Sequence, residues 1–379
     1  MAPDSTSDRA DYAIVGGGLQ AGLIALAVRA HQPAARIAIV ERAPALAGNH
    51  TWCFHAGDLP PDADWIDPLV VHRWPGYDVA FPGQRRTLAS PYAAVTNERL
   101  AGCVAETVDV LWLGEPAIEI AAERVVTPSR ALAAEVVIDA RGPGRLPVTR
   151  TGWQVFVGLE VIVPGHGVER PIVMDAVVEQ LGGFRFMYVL PLAPDRLLVE
   201  DTVFADRPVL AVEAHRAAIR AYAQHRGWAI ERVVREETGC IPLPLELDPP
   251  RVASPLVAGY AGSWFHPVTG YSFPIAARLA DAIARTPAGS LFDRDGALAE
   301  LARSHTSQLA FATRLNRMLF GWFAPEDRHH VLARFYRLPE PVIRRFYALE
   351  LTRLDRARFF FGRPPRGLSW RAALGGELA

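Results

Sequence analysis

Two adjacent acids, Glu200 and Asp201, end the apolar run in the stretch PLAPDRLLVEDT, residues 191–202. Successive side chains on a strand point to opposite faces, so this spacing predicts one carboxyl facing the interior and the other facing outward. An inward carboxyl beside Leu198 and Val199 loses hydration, which favours its neutral form. That is the condition a general acid needs. An ordinary glutamate with a pKa of ~4.3 is only about 0.2% protonated at pH 7, whereas a desolvated one keeps a proton to deliver. The residue types alone also allow a strand-end acid that simply bonds to backbone.

A second chemical spacing lies near the N-terminus, in DYAIVGGGLQAGLIALAVRAHQPAARIAIVER. The pattern predicts a buried strand over 12–15, a tight turn at Gly16, Gly17 and Gly18, a helix over 19–30 and a second strand over 36–40 that ends at Glu41. This is the dinucleotide fingerprint in its required context. Gly16 permits the turn, Gly18 lets a pyrophosphate approach the backbone, and Ala21 and Gly22 let helix and strand pack closely. Leu19 and Gln20 open the helix, whose free N–H groups would meet the phosphates. Glu41, 25 residues after Gly16, is placed to accept ribose hydroxyls.

The elements that must position these residues follow in order. EVVIDARGPG, 135–144, reads as a buried strand ending at Asp139, with Arg141 and Gly142 behind it. SPLVAGYAGSWFHPVTGYSFPIAARLADAIA reads as a strand, a Gly-rich loop and a helix over 274–284. In flavoproteins such a late strand returns beside the first and its helix points at the flavin, which favours FAD over NAD. The lack of a second GxGxxG argues against a separate NADPH domain. Alternating strands in DVAFPGQRRTLA, WQVFVGLEVIVP, PIVMDAVVEQ, FRFMYVLPLA and RLLVEDTVF predict an antiparallel sheet, mostly over 150–205, that covers the flavin and forms a substrate pocket. After residue 290 the pattern turns helical. The fold class expected is α/β: a Rossmann-like FAD-binding domain of the two-dinucleotide-fold flavoprotein type, with an antiparallel β-sheet substrate domain and a helical C-terminal segment. Its division would be 1–150 for the first part of the FAD domain, 151–250 for the substrate region, 251–290 for the return, and 291–379 for the helical end.

Composition narrows the chemistry. All 40 basic residues are arginine, so a lysine Schiff base or a Walker-type phosphate loop is excluded. Cys53, Cys103 and Cys240 sit in no CxxC, read as structural thiols and suit a reducing cytoplasm. The opening MAPDSTSDRA reads as neither signal nor transit peptide, and no run reaches ~18 apolar residues. The eleven histidines show no metal-ligand spacing, so no metal is expected. Net charge is −1, too little positive charge to suggest nucleic acid. Residues 301–379, however, carry 14 Arg against six acids, with 12 aromatic residues. Phe320, Trp322, Phe323, Phe359, Phe360 and Phe361 beside Arg314, Arg317 and Arg358 suggest either a cytoplasmic protein peripherally attached to a membrane surface or core aromatics with snorkelling arginines.

Five phrases, GNHTWCFH, RFMYVLPLAPDRLLVEDT, GSWFHPVTGYSFP, RLNRMLF and RFYRLPEPVIRRFY, occur in this order. Over about residues 11–365 the chain closely resembles the bacterial lycopene β-cyclases of carotenoid pathways. The resemblance implies an isomerase that closes the ψ ends of lycopene, or of a related acyclic carotenoid, into β-ionone rings, by way of γ-carotene to β-carotene, with no net redox change. It implies reduced FAD, with NAD(P)H as the outside source of electrons. The essential acid carries over to Glu200, with Asp201 as its neighbour, and the glycine motif to Gly16, Gly18 and Gly22. The late loop carries over as flavin-contacting at Gly262, Phe265, His266, Thr269 and Gly270. Gly17, Leu19, Gln20, Glu41, His50, Trp52, Asp139 and Gly142 complete the candidate cofactor set.

The sequence departs from the pattern at Trp264, where a smaller aliphatic residue is expected. Val257 to Tyr260 also lacks the acid that ordinarily contacts a ribityl chain. Ring closure passes through a tertiary carbocation, which aromatic faces stabilise. Trp52, Phe54, Phe184, Phe186, Tyr188, Trp264 and Phe265 are the candidates. The base that removes the last proton is open between ionised Glu200 and the flavin. Two other classes compete: a redox flavoenzyme such as a monooxygenase or isoprenoid reductase, and a catalytically silent carotenoid- or flavin-binding protein. The VEDT strand end weighs against both.

Overall fold

The computed structural model describes residues 8–142 and 150–375. The first seven residues and the end of the DARGPG turn, beyond Gly142, lie outside them. In chain order, β1 (Asp8–Val15) leads into α1 (Leu19–His31) and β2 (Ile37–Glu41). Next come β3 (Thr51–His55), β4 (His72–Trp74), β5 (Tyr77–Phe81), β6 (Gln84–Leu88), β7 (Tyr92–Thr96) and α2 (Asn97–Thr107). Strands β8 (Val110–Leu113), β9 (Glu119–Ala121), β10 (Arg124–Val126), β11 (Ala131–Asp139), β12 (Thr151–Ile162), β13 (Ile172–Asp175), β14 (Gly183–Ala193) and β15 (Arg196–Ala205) follow. After α3 (Val212–His225), β16 (Arg232–Pro244) and β17 (Leu256–Val257), the rest is helical: α4 (Phe273–Arg285), α5 (Ala297–Trp322), α6 (Arg328–Phe335), α7 (Glu340–Tyr347), α8 (Arg353–Arg358) and α9 (Trp370–Ala373).

The first sheet has the order β8-β2-β1-β11-β10-β9, with β17 also paired to β11. Its central strands are parallel and read as continuous apolar runs, because helices bury the sheet. Helices α1 and α4 pack on it in one core with Ile14, Ile39 and Ile138. The late strand was expected beside β1. It lies beside β11 instead, with Ile138 opposite Leu256, because β2 and β11 already fill both edges of β1.

The second sheet has the order β16-β12-β15-β14-β13-β5-β6. It is antiparallel throughout except where β13 meets β5. Strands β5 and β6 therefore join it from the first stretch of the chain. Period 2 sorts its residues into two apolar layers. Phe184, Phe186, Leu198 and Phe204 face the C-terminal helices with Leu319, Phe335 and Phe346. Val157, Leu159, Val189 and Val199 face Ile219, Tyr222 and Ala223 of α3. A small third sheet, β3-β7-β4, completes the architecture. Among the described residues no helix is long and apolar enough to cross a membrane.

Candidate active site

Gly16 takes φ +107°, where glycine is favoured, and a Cβ there would lie 2.6 Å from the Ala140 carbonyl oxygen. The turn after β1 thus touches the end of β11 backbone to backbone. Gly18 precedes α1 without a side-chain cap, and the space its Cβ would enter is open to 4 Å. Uncapped N–H groups before open space at a helix N-terminus suit a pyrophosphate. The Glu41 carboxylate accepts the Gly17 N–H at 2.6 Å and the Ala43 N–H at 2.7 Å, which leaves lone pairs for a ribose hydroxyl. Leu19 is buried, and so is Gln20, which donates to the Ala276 carbonyl of α4 while its Oε1 has no protein partner. Gly22 departs from expectation. A Cβ there would meet Leu100 and Val104, so this position lets α1 pack on α2 and not on a strand.

Asp139 ends β11 in a two-bond pair with Arg141, at 2.6 and 2.7 Å, and Gly142 follows, with no described residue within 4 Å of where a Cβ would go. His50 is exposed and Trp52 half-buried, their rings edge to face with centroids 6.0 Å apart.

The late loop is mostly structural. Gly262 closes against the Val257 carbonyl, Gly270 sits on Ile241, and Phe265 is fully buried against Tyr260. His266, expected as a flavin contact, has both ring nitrogens engaged, Nε2 with the Phe346 carbonyl at 3.0 Å and Nδ1 with the Val268 N–H at 3.1 Å. Burial lowers its pKa to about 3. It is a neutral pin between the loop and α7, with no ring nitrogen left for a ligand. Trp264 is core, stacked on His305 of α5, and Phe54 is core, stacked on Phe273. Thr269 lines an apolar cavity.

The acid pair lies on β15, where Glu200 stands opposite Tyr188 of β14 on one side and Gly158 of β12 on the other. Its side chain shares a face with Leu198 and Phe204, and Thr202 donates its hydroxyl to Oε1. Desolvation, with the nearby Glu237 carboxyl adding to it, raises the Glu200 pKa to about 8. A carboxyl of that pKa is about 90% protonated at pH 7.

Asp201 does point to the opposite face, but that face is not outward. It is only 1% exposed, because α3 covers it. Arg185 donates to its two oxygens at 2.8 and 3.0 Å, and His215 Nδ1 of α3 lies 2.8 Å away. Asp201 is thereby a structural anion behind the acid. Removing one partner of a buried ion pair strands the other charge. Asp201→Asn should lower the denaturation free energy by about 3 kcal/mol, read from urea unfolding midpoints, while altering FAD content little.

A cavity of about 250 Å³ opens on the Glu200 face of the sheet. Met174, Phe204, Thr269, Leu319 and Phe346 line it, and it reaches Phe360 at the surface. Phe204 is four residues along β15 from Glu200, about 13 Å by strand rise. Of the C-terminal aromatics read as surface groups, Phe323 is buried and lines this cavity, and Phe320 packs beneath the Arg328 guanidinium. Phe360, Phe361, Leu354, Trp370 and Leu374 are exposed. Of the seven candidate aromatics, the sheet brings Phe184, Phe186 and Tyr188 to the Glu200 face.

Sequence reasoning missed Glu237, Arg235 and Glu160, which share that face, and Arg185 and His215 behind it. The stripe His215, Ile219, Tyr222, Ala223 has helical spacing and was the available signal that a helix covers the sheet. Arg235 and Glu237 alternate correctly along their strand, but their place beside Glu200 depends on a pairing some 80 residues distant.

Residues 11–373 match the family model described as lycopene cyclase protein. A lycopene beta-cyclase of Pseudescherichia vulneris is 41% identical over 377 residues, covering 96% of this chain and 97% of that protein. Among solved structures, a geranylgeranyl bacteriochlorophyll reductase-like protein of Thermoplasma acidophilum superposes with a TM-score of 0.62 at 13% identity, over 93% of this chain and 96% of that one. A flavin-dependent brominase superposes at 0.61, also at 13% identity, over 93% of this chain and 97% of its own. These two structures share the α/β fold of this chain. The match to the family model across nearly the whole chain, together with a relative above 40% identity, means that this chain belongs to the lycopene cyclase family.

Proposed function

We propose that the chain is a lycopene β-cyclase that uses reduced FAD and converts the ψ ends of lycopene to β-ionone rings, by way of γ-carotene to β-carotene. The observation that carries this reading is a buried carboxyl, Glu200, whose pKa of about 8 keeps its proton at neutral pH on the same sheet face as an apolar cavity.

Glu200 transfers its proton to the terminal alkene of the substrate. As the O–H bond breaks a C–H bond forms, leaving a tertiary cation. The π electrons of the neighbouring alkene close the ring, and the adjacent carbon loses a proton to restore a double bond. No electron pair leaves the substrate, so the proton gained equals the proton lost. Ionised Glu200 is then a base in place to recover it. Phe184, Phe186 and Tyr188 offer faces to the cation without trapping it.

Gly16, Gly18, the α1 N–H groups and Glu41 would hold the adenosine diphosphate half of FAD, and the unpartnered Gln20 Oε1 is a further acceptor. Bound reduced flavin supplies negative charge, which stabilises a nearby cation. NAD(P)H would serve only to keep the flavin reduced.

Expression in a lycopene-making host, followed by carotenoid chromatography, tests the reading. β-Ring products support it, and unchanged lycopene overturns it. Counting reductant separates the redox rival: cyclisation should run through many turnovers per electron pair, whereas one NAD(P)H oxidised per ring would favour that rival.

The substrate dissolves in bilayers, and the cavity ends at exposed Phe360 near Arg314, whose guanidinium lies 5.6 Å from that ring. We therefore place a peripheral, cytoplasmic-side membrane contact at Leu354, Phe361, Trp370 and the neighbouring arginines. Vesicle flotation should show binding to anionic lipid that weakens as salt rises. A Phe361→Ser/Trp370→Ser double variant should bind several-fold less. Equal flotation of the variant and the parent would move the contact elsewhere.

A further inference from the structure

Glu200 is one of three acids on its sheet face. Glu160 and Glu237 are 4% exposed each, and Arg235 lies between them, with Nε 2.9 Å from Glu160 and Nη1 2.8 Å from Glu237. Arg196 also faces Glu160. Three carboxyls thus meet two guanidinium groups, and a low-dielectric site favours one neutral carboxyl.

The geometry selects which one. Glu160 has both arginines. Glu237 has Arg235 and, on the same Oε2, the Thr51 N–H at 3.0 Å. Glu200 has neither a cation nor a backbone donor among the described residues, only the Thr202 hydroxyl. Between Glu200 and Glu237 runs β12, and the residue facing both is Gly158. A Cβ there would stand 3.0 Å from Glu237 Cγ, 3.3 Å from its Oε1 and 3.3 Å from Leu198 Cδ1. The glycine leaves room for the Glu237 carboxyl to lean over β12 toward Glu200. Apart from Glu160 and the two arginines, the titratable groups facing the pair among the described residues stay uncharged. Cys53 of β3 is pushed up to about 12 by burial, and burial raises Tyr188 of β14 and Tyr92 of β7 well above 10. Asp201 lies behind the sheet, neutralised by Arg185.

We propose that Glu237 is a positioning residue for the catalytic proton: its ionised carboxylate, anchored by Arg235 and the Thr51 amide and reaching across Gly158, keeps Glu200 protonated. This deepens the cyclase reading and rests on it. Like charges in one buried site cannot both ionise cheaply; burial raises Glu237 too, but Arg235 and the Thr51 N–H oppose that rise, and Glu200, which has neither, retains the proton.

The test is a pH profile of cyclisation. Glu237→Gln keeps acceptors for Thr51 and Arg235 but removes the charge. The alkaline limb should move down by about one pH unit, making kcat about fivefold lower at pH 8 and nearly unchanged at pH 6. Glu237→Asp, which restores the charge, should return the limb most of the way. An infrared titration of the protonated carboxyl band, run on the same variants without substrate, should shift in parallel. A uniform loss of rate at all pH values with an unmoved limb overturns the proposal. Glu200 is neutral wherever Glu237 titrates, so Glu200→Gln should leave Glu237 already ionised at neutral pH in the same infrared titration. A Glu237 carboxyl that is still protonated at neutral pH in Glu200→Gln also overturns it, even if Glu237→Gln fails to fold. If Glu200→Gln abolishes ring formation while the Glu237→Gln limb stays put, the cyclase reading stands and only this inference falls.

Discussion

Glu200→Gln should reduce cyclisation by ~10²-fold or more, the usual contribution of a general acid, while leaving FAD content unchanged. The side chain keeps its size and its Thr202 partner but loses the transferable proton. The proposed cofactor cradle lies on β1, α1 and β2, in a different sheet from Glu200. The variant should also be more stable than the parent at neutral pH. The folded-state pKa of Glu200, about 8, lies above the unfolded value of ~4.3. Stability linked to this group is therefore full below pH ~4 and lost progressively as pH rises toward 8. The variant removes that loss, so its thermal midpoint should exceed the parent's by a margin that widens from pH 5 to pH 8. An acid placed for chemistry and destabilising to the fold is the pattern of a functional site. A Glu200→Gln protein that forms β-rings at a near-native rate would falsify the assignment.

Gly18→Val should produce a folded, colourless protein. Apart from its chain neighbours, no described residue comes within 4 Å of where its Cβ would go, and φ is −89°, so the backbone accepts a side chain. The open space is the one a pyrophosphate would enter, and a valine there would fill it. Gly16→Val is the contrast: with φ +107° and the Ala140 oxygen 2.6 Å from the new Cβ, it should fail to fold. Circular dichroism with flavin absorbance separates the two outcomes. A Gly18→Val protein that retains full flavin would remove the cradle from the cofactor site.

The sequence alone determined what local spacing determines. The strand–turn–helix–strand of 8–41, the alternating strands from 151 to 205 and the helical end were legible because periods of 2 and 3.6 are written into neighbouring residues. That Glu200 and Asp201 take opposite faces followed from the same alternation; the family came from five phrases in order, and the resemblance singled out Glu200 as the acid. Which surfaces are buried was not legible, because burial depends on partners far along the chain. Asp201 reads as outward from its own strand, and only the packing of α3 turned that face into an interior and gave it Arg185 and His215. His266 reads as a ligand contact in a Gly-rich loop until α7, 80 residues later, takes its Nε2. Glu237 reads as one acid in a charged strand. Tertiary pairing of β16 with β12 set it across Gly158 from Glu200, and a long-range electrostatic contact of that kind has no local signature.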